Sequence, residues 1–283
     1  SDGTVVTYLT QPLPDGATLV AFVDMTAARR VEDALRERAE AFEAADRLRT
    51  EFVRNVSYQL RSPLTTILGY TQFLESGQVG ELNEQQSNFL DSILTASNNL
   101  SKLIDDILDL AMIDARRLDL EISEVNLSSV IQDCVNMVIS NAEDTEVQVS
   151  CDVQDGIGNM MADERRLRQI LFNLMTNALR FTESGGTITV KAHKQDDMIW
   201  MSVADTGKGI EYDQQAAVFD SFNSGDRQGA GLGLALVRSF VELHGGQVLM
   251  QSAPGKGTKV ICMLPVDSSD AQPSDGDELQ SAA

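Results

Sequence analysis

Residues 51–70, EFVRNVSYQLRSPLTTILGY, decide how the first half of the chain folds. Apolar side chains recur at Phe52, Val56, Leu60, Leu64, Ile67 and Leu68, the three-to-four spacing of one helix face. Tyr58 lies between Val56 and Leu60, and at about 100° per residue it is turned roughly 200° from either, so its hydroxyl is expected to point away from that face. Pro63 has no N–H and frees the carbonyl of Gln59, which predicts a kink just beyond the tyrosine. An exposed, oriented hydroxyl beside a weakened turn is what a protein-borne acceptor group needs.

The helical pattern extends to both sides. Upstream, Thr26 can cap, and Val31, Leu35, Phe42, Ala45, Phe52 and Val56 follow coiled-coil steps, so one helix is expected from about residue 27 to 76, ended by Ser76 and Gly77. Downstream, Phe89, Ile93, Ala96, Leu100, Leu103, Ile107 and Leu110 alternate steps of four and three. Two long helices with a short loop make a helical hairpin, and two seams on one hairpin leave apolar surface for a second copy. A homodimeric four-helix bundle is the expectation.

Ahead of the helices, TVVTYLT and ATLVAFVDM read as strands joined by the turn QPLPDG. A lone hairpin is marginal, so this one reads as the end of a larger sheet domain, and the abrupt start at SDGTVV as a cut from a longer protein. After Leu120 the character turns mixed α/β: strand-like ISEVNL, a helix over 127–142, strand VQVSCDV, a helix from Asp163 to Phe181, the hairpin TITVKAHK to DMIWMSVAD, a helix over 230–244, and the closing hairpin VLMQSAPGKGTKVICMLP. From Val266 the chain carries five acids, no base and almost nothing to bury, so 266–283 is expected to be disordered.

A formal charge of -21 excludes a general nucleic-acid or anionic-membrane surface and favours basic protein partners or ligands carried with Mg²⁺. Cys134, Cys151 and Cys262 are odd in number and far apart, which indicates neither a disulfide framework nor a zinc site and fits a reducing cytosolic setting. No apolar run approaches the ~18–20 residues of a membrane span and no signal peptide is visible, so membrane attachment is expected only through missing N-terminal residues.

Three glycine clusters fall in the α/β half: Asp205-Thr-Gly-Lys-Gly-Ile210, Gly229-Ala-Gly-Leu-Gly-Leu234 and Gly255-Lys-Gly-Thr258. Glycine lets backbone amides approach phosphate oxygens, and the second cluster opens a helix whose N-terminus favours anions. Neither the P-loop nor the Rossmann spacing is present, and each cluster alone also fits ordinary turns. Asn173 and Asn177 share a helix face, so their amide oxygens can converge on a hard cation while Arg180 reaches a phosphate; a solvated helix face is the plain alternative.

Taken together, these motifs resemble the ATP-binding domain of sensor histidine kinases, of the gyrase, Hsp90, kinase and MutL ATPase fold. NLMTNALRFT is similar to the N box, DTGKGI to the first G box, VFDSF to the F box, GAGLGLAL to the second G box and PGKGT to the third. The resemblance implies ATP and Mg²⁺ as cofactors. It implies Asn177 as the Mg²⁺ ligand, Asp205 as acceptor for the adenine amino group, and Gly207 and Gly209 as walls of the adenine pocket. Gly231 and Gly233 would border the triphosphate, and Thr258 the base. Arg180 stands where lysine is usual, Gln228 and Ala230 replace a glycine and a threonine, and the lid NSGDRQ is short.

The opening stretch resembles the H box of the same family, but with Tyr58 for the acceptor histidine and Gln59 for the acid beside it. His193 and His244, the only histidines, both lie in the ATP-binding half, where neither is expected to be the acceptor. The hairpin DGATLVAFVDMT resembles the end of a PAS sensory domain. The implied architecture is a truncated PAS hairpin (1–26), a coiled-coil linker with an all-α dimerisation hairpin (27–118), an α/β sandwich of the ATPase type (119–265) and an acidic tail (266–283). A cytoplasmic segment of an inner-membrane-associated protein is the implied location. The tyrosine resembles an atypical branch of the family in alphaproteobacterial cell-cycle control, which implies as partners a phosphorylated single-domain response regulator and a hybrid histidine kinase.

The substitution changes the chemistry. Tyrosine titrates near ~10, so a phenolate at pH 7 costs about 4 kcal/mol unless a base helps, and Gln59 is no base. Phosphotyrosine is a stable ester from which transfer to an aspartate runs uphill. Of the family's dephosphorylation pattern only Ser62 can still orient a water. Tyr58, Gln59, Arg61 and Ser62 are therefore expected to dock a regulator, with an ATP-dependent kinase acting on Tyr58 or on a response regulator as the alternative. A water-activating ATPase motor lacks its acid, since Gln169 stands four residues before Asn173.

Overall fold

The computed structural model describes residues 4–14, 16–78, 80–142, 146–215, 217–220 and 231–269. Its contacts divide into two units, Ser1–Gln59 and Leu60–Ala283, each taken by itself.

In the first unit, β1 (Val6–Pro12) and β2 (Thr18–Asp24) form an antiparallel hairpin with Tyr8 opposite Phe22. Every residue of both strands is exposed. Helix α1 (Thr26–Glu75) follows at once. Its start differs from the expected threonine cap: Asp24 Oδ1 accepts from Thr26 N at 2.9 Å, and the Thr26 hydroxyl accepts from Val5 N at 2.9 Å. A carboxylate at a helix N-terminus meets both an unpaired amide and the favourable end of the helix dipole.

Helix α1 continues unbroken through Pro63. Ser76 and Gly77 stop it, with Gly77 at φ 73°, where a side chain is rarely tolerated. Helix α2 (Glu84–Asp114) begins at a reciprocal capping box: Asn83 Oδ1 accepts from Gln86 N and Gln86 Oε1 accepts from Asn83 N, both at 2.9 Å. Its buried residues are Leu90, Ser97, Ile104 and Asp106. The predicted seam positions Phe89, Ile93 and Leu100 stay exposed, and so do Leu60 and Ile67 on α1. Burying one such side chain is worth about 1.5–3 kcal/mol, so this much open apolar surface on a helical hairpin fits association with a further helical surface.

The α/β part is built as read, with one strand added and one helix shortened. It comprises β3 (Ser123–Asn126), α3 (Leu127–Ala142), β4 (Gln148–Val153), β5 (Asn159–Ala162), α4 (Glu164–Phe181), β6 (Thr187–Gln195), β7 (Met198–Asp205), α5 (Gly233–Leu243), β8 (Gln247–Ser252) and β9 (Thr258–Pro265). The main sheet runs β4-β6-β7-β9-β8, with only β4 and β6 parallel. Alternate residues Ile188, Val190 and Ala192 on β6, Ile199, Met201 and Val203 on β7, and Val260, Cys262 and Leu264 on β9 are buried in one core with α3, α4 and α5. The period of two on the strands and of three to four on the helices builds that two-layer sandwich.

The expected disordered tail starts too early. Val266 N donates to Asp197 O, Met161 N to Val266 O and Ser268 N to Met161 O, so 266–268 are tied to β5 by an isolated parallel bridge between Met161 and Asp267, and Ser268 is fully buried. Unpaired β5 backbone groups offset the acidic composition there. The tail from 270 lies outside the described residues.

Candidate functional site

Helix α4 carries the first half of the site. Asp163 caps it, its carboxylate accepting from Arg166 N and from Glu121 N at 3.0 Å each. Leu167, Ile170, Leu171, Leu174, Met175 and Ala178 turn into the core, which leaves Asn173 and Asn177 to face the start of α5. A Cβ placed on Gly233, the first residue of α5, would lie 3.7 Å from both Asn173 Cγ and Asn177 Nδ2. Asn173 is buried, and its Nδ2 has no hydrogen-bond partner among the described residues. A buried amide without a partner is costly, which marks a place where a polar ligand completes the structure. Leu232 supplies no side-chain cap to α5, so among the described residues no side chain caps the helix start that lies beside the asparagines.

The second half is the loop 205–210. Asp205 Oδ1 accepts from Gly207 N at 2.9 Å and Thr258 N at 3.1 Å, while no bond to its Oδ2 occurs among the described residues. Burial raises its pKa, against the two backbone amides that lower it. Ser252 ties the loop to the closing hairpin: its hydroxyl accepts from Ile210 N at 2.9 Å, donates to Gly257 O at 3.0 Å and meets Thr258 Oγ1 at 2.9 Å. Gln215 Nε2 donates to the carbonyls of Ile210 and Ser252.

The glycines here serve packing more than ligand approach. A Cβ on Gly207 would lie 2.1 Å from Phe181 O, and one on Gly209, at φ +67°, would lie 2.0 Å from Ala253 O. The loop is thus pressed between the end of α4 and the β8–β9 turn. Arg180 and Lys208 both stand over the Phe181 ring, 5.1 and 4.7 Å from its centroid.

The structure therefore gathers Asn173, Asn177 and Gly233 into one group, and Asp205, Gly207, Gly209 and Thr258 into another, with Phe181 at the end of α4 reaching the second. Gly231 stands two residues before α5 at φ 67°. The lid, the end of the F box, Gln228 and Ala230 lie outside the described residues. No group of three or more His, Cys, Asp or Glu side chains suited to a metal occurs among the described residues. The sequence reading missed Ser252 and Gln215; the signal for Ser252 was the polar-glycine punctuation of QSAPGKGT, which reads equally as a plain turn.

On α1, Tyr58 is 71% exposed and Gln59 is exposed too. Within the second unit, Arg61 Nη2 donates to Asp105 Oδ1 on α2, so Arg61 is a paired cation rather than a merely solvated one. The Ser62 carbonyl accepts from Thr66 Oγ1 at 3.2 Å.

His193 stacks on Trp200. His244 is fully buried, its Nε2 accepting from Asp163 N at 3.1 Å and its Nδ1 2.7 Å from Phe240 O, a pattern that requires the neutral ring with its proton on Nδ1. Burial lowers its pKa below the ordinary 6.5. The folded state thus binds the proton less well than the unfolded chain, and this stabilisation is present above pH ~6.5 and lost as pH falls through the folded value. Thermal unfolding of the wild type between pH 7.5 and 5.5 should therefore show a pH-dependent loss that is flattened in His244→Gln; an unchanged slope in that variant contradicts the assignment.

Residues 162–268 match the model of the histidine kinase-, DNA gyrase B- and HSP90-like ATPases, and residues 48–116 match the His Kinase A phospho-acceptor domain. The chain is 42% identical over 265 residues to sensor protein DivL of Caulobacter vibrioides, covering 94% of this chain and 34% of that protein. It is 34% identical over 272 residues to an uncharacterized sensor-like histidine kinase of Rhizobium meliloti, R01002, covering 92% and 52%. The crystal structure of full-length ShkA in complex with AMPPNP superposes with a TM-score of 0.66 at 30% identity, over 76% of this chain and 45% of that one. The chain thus spans about a third to a half of the curated relatives it matches. Among the described residues no helix is long and apolar enough to cross a membrane. With a phospho-acceptor-type helical region leading into an α/β ATPase domain, in the order and with the fold of its relatives, the chain belongs to the histidine kinase family.

Proposed function

We propose that the chain is the transmitter region of an atypical histidine kinase, one that binds ATP but uses the surface around Tyr58 to dock a response regulator. It adjusts a partner kinase and does not relay a phosphoryl group. The observation that carries this reading is an exposed tyrosine, beside a glutamine, at the place the family gives to its acceptor histidine.

The nucleotide half fits Mg²⁺-ATP. Asn177 supplies an amide oxygen for Mg²⁺, Asn173 has an unused buried donor, and the open start of α5 with Gly231 and Gly233 suits a triphosphate. The free Asp205 Oδ2 suits an amino group of adenine, with Gly207, Gly209 and Thr258 shaping the loop around it. Arg180 provides a cation at the far end of α4. Bound Mg²⁺ neutralises phosphate charge; the chain's own groups bind and orient the nucleotide.

In this reading residues 1–26 are the end of a PAS domain, 27–118 pair with a second copy into a four-helix bundle, and 119–269 form the ATPase domain. Tyr58, Gln59, Arg61 and Ser62 make the docking patch for a phosphorylated single-domain response regulator, and a hybrid histidine kinase is the modulated partner. The match to DivL supports this branch of the family over an ordinary relay kinase. The second reading, phosphorylation of Tyr58, is favoured by the exposure of its hydroxyl. It requires Tyr58 Oη to bond the γ-phosphorus as the bond to ADP breaks, with the phenolic proton passing to a base that Gln59 cannot be.

Docking is tested by titrating the 283-residue chain with a beryllofluoride-activated single-domain response regulator. Truncating an exposed aromatic anchor typically costs 2 kcal/mol or more, so Tyr58→Ala should weaken binding at least ~10-fold while leaving nucleotide affinity unchanged. Undiminished regulator affinity in Tyr58→Ala, and in a bulky Ser62→Arg variant, contradicts the docking patch.

A further inference from the structure

Helix α2 meets the ATPase domain through a compact set of charges. Asp109 Oδ2 accepts from Arg166 Nη1 at 2.7 Å and from Gln169 Nε2 at 3.1 Å, and both side chains of the Arg166–Asp109 pair are largely buried. Arg166 also donates to Gln169 Oε1 at 2.9 Å and lies over the Phe240 ring of α5, 4.8 Å from its centroid. One turn earlier on α2 Asp105 takes Arg61, and two turns earlier Lys102 stands 5.0 Å over the Phe172 ring of α4. Between these sits Asp106, 7% exposed, flanked by Asp105 and Asp109 and close to the Gln169 amide. The partners of its neighbours are committed: Arg61 to Asp105, Arg166 to Asp109, Lys102 to Phe172. Among the described residues Asp106 makes no ion pair, with Lys102 one turn away.

We propose that this joint is a proton-linked catch, in which Asp106 takes a proton from solvent when α2 closes on α4 and α5 and returns it when they part. The titratable and charged groups acting on Asp106 are Lys102, Asp105 and Asp109 on its own helix, with the polar Gln169 on α4; Arg166 on α4 pairs with Asp109 and Arg61 on α1 with Asp105. Burial is the largest influence on Asp106 and two neighbouring acids add to it, against Lys102 and the Gln169 amide. Together they raise its pKa from 3.8 to about 6. Closure therefore gains most below pH ~4 and loses this contribution as pH rises through ~6. Near neutrality the catch keeps Arg166 and Gln169 on Asp109 and Lys102 over Phe172. Because Arg166, Gln169 and Phe172 share α4 with Asn173 and Asn177, the joint sets the freedom of the same helix that faces the proposed nucleotide site.

The test is single-molecule energy transfer on the 283-residue chain, labelled at Ser92→Cys on α2 and Gln195→Cys on β6 with Cys151→Ser, both label sites being exposed. Linkage with the two protonation values predicts a closed-to-open ratio about fourfold higher at pH 5.5 than at pH 7.5. Asp106→Asn should stay closed at both, with no pH slope. Gln169→Glu, which adds a carboxylate without touching the core, should lower the closed fraction at pH 7.5. A wild-type ratio independent of pH, or a wild-type slope retained in Asp106→Asn, overturns the proposal. Neither result depends on nucleotide binding or on Tyr58.

Discussion

Gly209→Ala is expected to lower ATP affinity at least ~100-fold and to lower the melting temperature of the ATPase domain. The added Cβ would lie 2.0 Å from Ala253 O, a backbone atom that no rotamer change can move, and the position has φ +67°. Left-handed backbone alone costs a side chain about 1–2 kcal/mol, and relief of the clash must come from the loop itself. Any such shift pulls Asp205 from Thr258 N and Ile210 from Ser252, the bonds that define the second half of the site. Gly255→Ala is the control: its φ is +69° but nothing lies within 4 Å, so it should pay the conformational cost and keep nucleotide binding within a fewfold. Titration with a fluorescent ATP analogue, with circular dichroism of both variants, checks this; equal affinities in the two contradict the packing account of the glycine.

The second large effect concerns the lost acceptor. Tyr58→His alone is expected to autophosphorylate at least ~100-fold more slowly than Tyr58→His/Gln59→Glu, because a positioned base contributes typically 10²–10⁴. A neutral imidazole is nucleophilic near pH 7, yet its attack on the γ-phosphorus still leaves a proton to be removed, and Gln59 has no basic oxygen for it. Arg61 does not substitute, since it is a cation already paired with Asp105. Initial rates of acid-labile label incorporation measure the ratio; comparable rates in single and double variants would refute the weight given to the acid.

Sequence periodicity carried most of the architecture, for reasons that differ by element. The run from Thr26 to Glu75 is a local signal and lies where its spacing puts it; the Asn83 capping box is equally local but is not singled out in the sequence reading. β5 escaped because NMMA is four residues long with no readable alternation, and its pairing with β3 and with 266–268 is nonlocal. The same pairing orders the first residues of an acidic stretch whose composition alone argues for disorder. Heptad reading placed Phe89, Ile93 and Leu100 in a seam, whereas the chain buries Leu90, Ser97 and Ile104, one step around α2, and leaves the seam open. At the site, the asparagines and the Asp205 loop were legible as motifs. The α2 joint was not, since Asp106 and Asp109 read as the polar side of a helix until Arg166 and Gln169, far along the chain, bond Asp109 and the packing there buries Asp106. His244 and Asp106 also illustrate opposite signs of pH linkage in one chain: the first weakens the fold as pH falls, the second strengthens the joint.

The central claim is that the ATPase half binds nucleotide while Tyr58 does not pass a phosphoryl group on. It is tested most directly by incubating the wild-type chain with γ-labelled Mg²⁺-ATP, alongside Tyr58→Phe, and measuring bound nucleotide and covalent label in the same samples. The account predicts saturable ATP binding with no covalent label in either protein. Label on the wild type that resists both acid and alkali and is lost in Tyr58→Phe would contradict it.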